Sequence, residues 1–281
     1  MKICKTIKEM QAEVSRRDRN KTLGFVPTMG ALHEGHLSLV RLSKSNCDLS
    51  TVSIYVNPSQ FGPQEDFGRY PRNLERDLAL LADNGADYVF LPDNEQMYPA
   101  GYKTWVEVEG LSSILCGNSR PGHFRGVATV VLKLVQIVKP DLMFMGMKDF
   151  QQVVVLETML RDLNSDTQIF RCPIVRESDG LAMSSRNIYL SPEERAKALC
   201  LSQTLDMARQ MVASGTKRAE EVILAAEDKI NAAGGRIDYI SLVNGSTLQP
   251  QDVIDQDTRM LLAVYIGNTR LIDNCSLMQS D

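Results

Sequence analysis

Along the first two-thirds of the chain, short apolar runs alternate with stretches in which apolar residues recur every three or four positions. Thr22–Val26 is a β-rich run that stops at Pro27, and Gly35–Ser45 carries Leu39, Val40 and Leu42 at helical spacing. The alternation continues downstream. Thr51–Val56, Asp87–Leu91, Asp141–Met145 and Thr167–Cys172 read as strands, and Leu74–Asn84, Gly126–Val138 and Asp149–Leu163 as helices. Short apolar runs bounded by Pro or Asn suit strands buried on both faces, whereas the longer period places apolar side chains on one face of a helix. Strands alternating with helices predict a parallel sheet joined by right-handed crossovers. The fold class is therefore α/β, a Rossmann-like doubly wound parallel sheet.

The pattern changes after about Val175. Ser191-Pro192-Glu193-Glu194 is a capping box with Pro at the first helical position, and it predicts a long helix to about Ala213. A second helix is expected over Ala219–Ala233, ended by Gly234-Gly235, and then short strands at Tyr239–Val243, Met260–Ile266 and Arg270–Ile272. This divides the chain into a sheet domain over residues 1–175 and a smaller C-terminal α+β domain over 176–281, with Arg176-Glu177-Ser178-Asp179-Gly180 as the junction. The last residues, Ser276–Asp281, read as an unstructured tail.

Composition narrows the function classes. With 43% apolar and 23% charged residues in 281, the chain is an ordinary globular one, long enough for about two domains and a sizeable core. A net charge of −4 and the lack of a basic stripe interleaved with aromatics argue against nucleic-acid or membrane-surface binding. No apolar run approaches the ~18–20 residues needed to cross a bilayer, and the N-terminus reads as an amphipathic start rather than a signal peptide. The six cysteines include no C-x-x-C pair, so neither a zinc site nor a disulfide framework is expected, and a reduced cytoplasmic setting is.

Three segments carry candidate chemistry. The first, Phe25-Val26-Pro27-Thr28-Met29-Gly30-Ala31-Leu32-His33-Glu34-Gly35-His36, lies between the first strand and the first helix. In an open parallel sheet, ligands bind beyond the carboxyl ends of strands, where a helix start presents N–H groups. Two imidazoles and a glycine there suit phosphate better than metal, since the spacing is not that of H-E-x-x-H. A helix cap plus a satisfied surface imidazole is the other reading. The second, Gly146-Met147-Lys148-Asp149-Phe150-Gln151-Gln152, follows another strand end; Lys148 there is a phosphate grip or a surface lysine, and Asp149 a helix cap. The third, Ala182-Met183-Ser184-Ser185-Arg186-Asn187, offers two hydroxyls and a guanidinium for phosphate oxygens, or is an exposed turn.

Taken together, these segments resemble the pantoate–β-alanine ligase family of the H-x-G-H nucleotidyltransferase superfamily. The resemblance runs nearly end to end, through Asn57-Pro58-Ser59-Gln60-Phe61-Gly62 and Arg120-Pro121-Gly122-His123-Phe124-Arg125-Gly126-Val127 to Thr269-Arg270-Leu271-Ile272-Asp273-Asn274. One position departs from it, Met147, where the family usually carries Glu or Gln. The resemblance implies that pantoate is activated by ATP as pantoyl adenylate and then joined to β-alanine. It implies ATP contacts from Met29, Gly30, Ala31, Leu32, His33, Glu34, Gly35 and His36, with His36 as proton donor. Further ATP contacts would come from Gly146, Met147, Lys148 and Asp149, from Val175, and from a mobile loop carrying Met183, Ser184, Ser185 and Arg186. His33, Lys148, Ser184, Ser185 and Arg186 would join His36 in catalysis. Gln60 and Gln152 would contact pantoate, and Gln60 also β-alanine. Mg²⁺ is expected with ATP, with Asp77 as its carboxylate; an exposed helix residue is the other reading of Asp77. A homodimer is implied as well. The rival readings are a nucleotidyltransferase of the same superfamily acting on another acid or nucleotide, and a nucleotide- or RNA-binding module without turnover.

Overall fold

The apolar runs become strands because their side chains fill both sides of one sheet. In the computed structural model, which describes residues 1–278, six strands form that sheet: β1 (Lys2–Cys4), β2 (Leu23–Thr28), β3 (Leu49–Ile54), β4 (Tyr88–Phe90), β5 (Leu142–Gly146) and β6 (Gln168–Cys172). Their order is β1-β4-β3-β2-β5-β6 and every pairing is parallel. The chain thus leaves β2 toward β3 on one side and returns to β5 on the other. Such a reversal opens a crevice at the carboxyl ends of β2 and β5, the customary ligand position in sheets of this kind. Val26, Val52, Val89 and Phe144 on the strands, with Leu37 and Val40 on the helix Glu34–Asn46 and Leu81 on the helix Leu74–Asp83, build one core cluster.

Several boundaries differ from those the pattern predicts. β2 does not stop at Pro27 but includes it. The ladder to β5 ends at Phe25, and Thr28 directs its carbonyl to Tyr55 beyond β3, so alternation turns Pro27 to the side where no ladder bond remains to be lost. β1 is too short to have a visible period; it pairs at the sheet edge with β4, and only its Cys4 is buried. The amphipathic start is the helix Ile7–Arg16, opened by a Thr6–Glu9 capping box.

The contacts divide the chain into two compact units: residues 1–147 with 152–172, and residues 148–151 with 173 onward. In the second unit β7 (Arg236–Asn244), β8 (Thr258–Ile266) and β9 (Thr269–Ser276) form an antiparallel sheet. Leu262 and Val264 of β8 join Leu201, Leu205, Val222 and Ile230 from the helices Cys200–Ala213 and Ala219–Ala232 in its core. The single long helix expected from Ser191 is two, Pro192–Lys197 and Cys200–Ala213. Between them Leu199 and Leu201 donate three residues back rather than four, which tightens the turn and interrupts the α-helical ladder. Of the expected tail, Ser276 belongs to β9, while residues 279–281 lie outside the described residues.

Candidate functional site

β2 ends at Thr28, and the chain then turns through two left-handed residues, Gly30 at φ +79° and Ala31 at φ +51°. Gly30 is required twice over. A left-handed φ favours it, and a Cβ there would stand 3.0 Å from Asp77 Oδ2 and 3.1 Å from Ile54 Cγ2. Ala31 has no such freedom, so its conformation must be held from outside. Asp77 holds it: Oδ2 accepts the Ala31 N–H at 2.8 Å and Oδ1 the Leu32 N–H at 2.9 Å. Thr28 Oγ1 accepts from Gly30 N–H at 3.2 Å, and Arg76 Nη1 donates to the Leu32 carbonyl at 3.0 Å. Asp77 is supplied by the helix Leu74–Asp83, which Asn73 caps, and is 1% exposed.

The structure therefore corrects the exposed-helix reading of Asp77. It also leaves this residue a poor fit for Mg²⁺, because both carboxylate oxygens already serve backbone donors in a buried position. Among the described residues no three or more His, Cys, Asp or Glu side chains gather to hold a metal ion.

His33 caps the helix Glu34–Asn46 and His36 lies in its first turn. His33 Nδ1 accepts the Gly35 N–H at 3.1 Å, and His36 Nδ1 faces the His33 N–H at 3.4 Å. An Nδ1 that accepts cannot hold the proton, so each neutral imidazole carries it at Nε2 and is a donor there. The two rings stand 4.1 Å apart, tilted by 42°. The cap reading of His33 is thus correct, and it is what fixes the tautomer. Glu34 is ion-paired with Arg41.

Gln60 ends a 3₁₀ turn begun by Asn57. Its Nε2 lies 3.1 Å from Met29 Sδ, and its Oε1 accepts from Asn57 Nδ2 at 3.0 Å. Its carbonyl accepts from His123 Nδ1 at 2.8 Å and from Arg120 Nη2 at 3.4 Å. Arg120 Nη1 stands 2.9 Å from His123 Nε2, so His123 receives on one nitrogen and donates from the other, which only the neutral ring can do. Arg120 also grips Glu65 with two hydrogen bonds, at 2.6 and 2.7 Å. Burial pushes the Glu65 carboxyl up, but these bonds and the charge of Arg120 more than offset it and hold Glu65 below the usual carboxylate range. Gly126 lets the helix His123–Val138 meet this turn: a Cβ there would come within 2.3 Å of the Ser59 carbonyl oxygen. Arg120 and His123 stand in a motif that the resemblance marks without giving it a task, and Glu65 carries no signal at all.

In the same unit, β5 ends at Gly146, Met147 opens the 3₁₀ turn that follows, and Gln152 sits half-buried on the helix Phe150–Asp162. In the second unit, Lys148 is half-buried and Asp149 exposed. The Lys148 carbonyl accepts from Asn274 Nδ2 at 3.0 Å. Asn274 is 1% exposed; its Oδ1 accepts from Arg259 Nη1 at 3.3 Å, and its N–H donates to Asp273 at 2.8 Å. Asp273 in turn takes two hydrogen bonds from Arg176, at 2.6 and 3.0 Å. Asp273 and Asn274 end a motif that the resemblance marks without giving it a task, Arg176 is read from sequence only as part of the domain junction, and Arg259 carries no signal.

The serine-rich segment is ordered at its base. Met183 N–H donates to the Val175 carbonyl at 3.0 Å, and Ser184 Oγ accepts from Arg186 N–H at 3.2 Å, opening the 3₁₀ turn Ser185–Tyr189. Asn187 ties this turn to Glu177 at 2.9 Å, and Arg195 ion-pairs with Glu177 at 2.8 Å. The structure thus brings Met29 beside Gln60 and Val175 beside Met183.

Comparisons with known proteins identify the family. The family model described as pantoate-beta-alanine ligase matches residues 2–276. A pantothenate synthetase of Pseudothermotoga lettingae is 52% identical, over 99% of each chain, and one of Acetivibrio thermocellus is 51% identical over 98% of each. The crystal structure of pantothenate synthetase from Thermus thermophilus superposes with a TM-score of 0.95 at 44% identity, covering 99% of this chain and all of that one. A Francisella tularensis pantoate-beta-alanine ligase, complexed with beta-gamma ATP and beta-alanine, superposes with a TM-score of 0.83 at 36% identity, over 100% of this chain and 99% of that one.

Proposed function

The chain belongs to the pantoate–β-alanine ligase family, and from that premise we propose how its residues divide the work of joining pantoate to β-alanine with ATP. In the first step a pantoate carboxylate oxygen forms a bond to the α-phosphorus as the bond to the bridging oxygen breaks, releasing pyrophosphate and leaving pantoyl adenylate. In the second, the β-alanine amine attacks the acyl carbon, loses a proton, and AMP departs with the C–O bond electrons. The first step calls for positioning and charge neutralisation rather than covalent help from the protein.

The observation that carries this reading is the orientation of the two imidazoles. Their Nδ1 atoms face backbone N–H groups, so both rings hold Nε2–H donors, suited to phosphate oxygens. The donor role that the resemblance implies for His36 is proposed as an Nε2–H hydrogen bond to the departing pyrophosphate, with the ring keeping its proton, and Met29 to His36 as the first ATP segment. Gly146 to Asp149, Val175 and Met183 to Arg186 are the remaining ATP contacts, with Lys148, Ser184, Ser185 and Arg186 neutralising phosphate charge. Gln60 and Gln152 take pantoate, and Gln60 also β-alanine. A carboxamide suits that role because it donates and accepts without placing a charge beside the attacking carboxylate. Mg²⁺ enters this proposal as the counter-ion of ATP.

Pantoate-dependent exchange between ATP and labelled pyrophosphate, without β-alanine, tests the sequence of steps. Exchange with pantoate alone is the expected result. Exchange that requires β-alanine would mean that no adenylate forms before the amine binds. A homodimer in a reducing, cytoplasmic setting completes the proposal. Light scattering tests the dimer. No helix among the described residues is long and apolar enough to cross a membrane.

A further inference from the structure

Three features tie Asp77 to the loop before the histidine pair. Both of its carboxylate oxygens are taken by consecutive backbone N–H groups, those of Ala31 and Leu32. The loop they belong to contains a non-glycine residue in the left-handed region, Ala31 at φ +51°. Asp77 itself is 1% exposed, and the neighbouring Arg76 grips the Leu32 carbonyl, so one helix turn holds this loop from both its donors and its acceptor. A peptide plane held at its N–H cannot rotate, and rotation of the 30–31 and 31–32 planes is how this loop would relax out of its left-handed turn. A metal ligand, by contrast, needs a lone pair turned to the ion, and magnesium prefers a near-octahedral shell that keeps several waters.

We infer that Asp77 is a positioning residue: it braces the Gly30–Leu32 turn, and through it the start of the helix that carries His33 and His36, and it does not ligate Mg²⁺. This rests on the reading of Met29 to His36 as an ATP segment. Asp77 touches no substrate; it acts through the two amides it holds. Its contribution therefore falls on ATP, whose binding depends on the loop, and not on the concentration of Mg²⁺ that the reaction needs.

Asp77→Asn tests this with little change in size, since a carboxamide accepts one N–H and opposes the other with its own donors. Amide hydrogen exchange at Ala31 and Leu32 should speed by about tenfold or more, and the KM for ATP should rise several-fold. The pantoate KM and the Mg²⁺ concentration giving half-maximal rate should stay as they were. Unaltered exchange, or a variant that recovers full rate when Mg²⁺ is raised, would overturn the brace. Faster exchange with an unchanged ATP KM would leave the brace standing and remove the ATP assignment of the loop instead. Should the variant not fold, the unmutated protein still decides. The amides of Ala31 and Leu32 lie outside strand and helix, yet they should exchange as slowly as those of β2. Exchange at the rate of an open loop would refute the proposal.

Discussion

The turn at Gly30–Leu32 and the turn at Lys148 are both held by a buried side chain from a distant part of its own unit, but by opposite ends of the peptide group. At the first, a carboxylate receives two N–H groups. At the second, a neutral carboxamide donates to a carbonyl, with Arg259 behind its oxygen and an Arg176–Asp273 pair beside it. The difference follows from what each turn presents. The first ends in a helix start and two neutral imidazoles, and a buried acid there orients the N–H groups of the turn. The second carries Lys148, for which the proposed use lies in its positive charge. Holding its main chain with an uncharged amide leaves that charge undiminished, where an unneutralised carboxylate at the same place would offset it.

If the imidazole pair is the reactive end of the first turn, His36→Ala should do the greatest damage. Loss of one preorganised donor to a developing charge costs about 3–4 kcal/mol, two or more orders of magnitude in adenylate formation. Stopped-flow or quench measurement of pyrophosphate release reads this directly, and a fully active variant would remove His36 from the chemistry. Lys148→Ala comes next. A charge-assisted hydrogen bond is worth about 1.5–3 kcal/mol, so kcat should fall roughly ten- to hundredfold. A change confined to the ATP KM would place Lys148 in ground-state binding instead.

Much of this arrangement is legible in the sequence, and the illegible part has a common cause. Most strands of the parallel sheet announce themselves as short apolar or β-branched runs; Thr51–Val56 falls on β3 even though Ser50, Thr51 and Ser53 are buried polar residues within it, whereas β1 is too short to show a period. The H-x-G-H segment stands out because it holds two of the chain's three histidines, three residues apart. The supports do not stand out. Asp77 is 46 residues from Ala31, and Asn274 is 126 from Lys148, so although the resemblance names both residues, nothing local shows what either side chain holds. Asp77 lies three residues after Leu74 and four before Leu81, so helical spacing puts it on the apolar face with them, and only the fold shows that the loop above supplies its partners. The helix break at Ala198–Leu199 is hidden for a different reason. Both residues are good helix formers, and the interruption is a matter of tertiary fit rather than of propensity.

Asn274→Asp probes the second turn with a smaller expected effect. The carboxylate cannot donate to the Lys148 carbonyl, and the loss of a single hydrogen bond of about 1 kcal/mol net corresponds to roughly fivefold in kcat. Single-turnover adenylation separates two outcomes. A lower rate with the ATP KM in place means that Asn274 positions the lysine. A lower melting temperature with an unchanged rate means that it serves the β8–β9 core alone, and the parallel with Asp77 fails.

The support beneath Gln60 yields the smallest effect on turnover, its consequence being one of stability and its pH dependence. The Glu65 carboxyl is held below its usual range by Arg120, despite the opposing pull of burial. A group whose folded-state value is lowered stabilises the fold fully above its unfolded value, near 4.3, and loses that contribution as pH falls through the folded value. Glu65→Gln should therefore lower stability by about 1–2 kcal/mol at neutral pH. The gap from the unmutated protein should begin to close below about pH 4.3 and narrow further with added acid. Denaturant melts across that range measure it. A gap that stays constant through the acid limb would mean that the Arg120 grip adds no ionic stabilisation. Arg120 would then hold the Gln60 carbonyl through hydrogen bonds alone, as Asn274 holds Lys148.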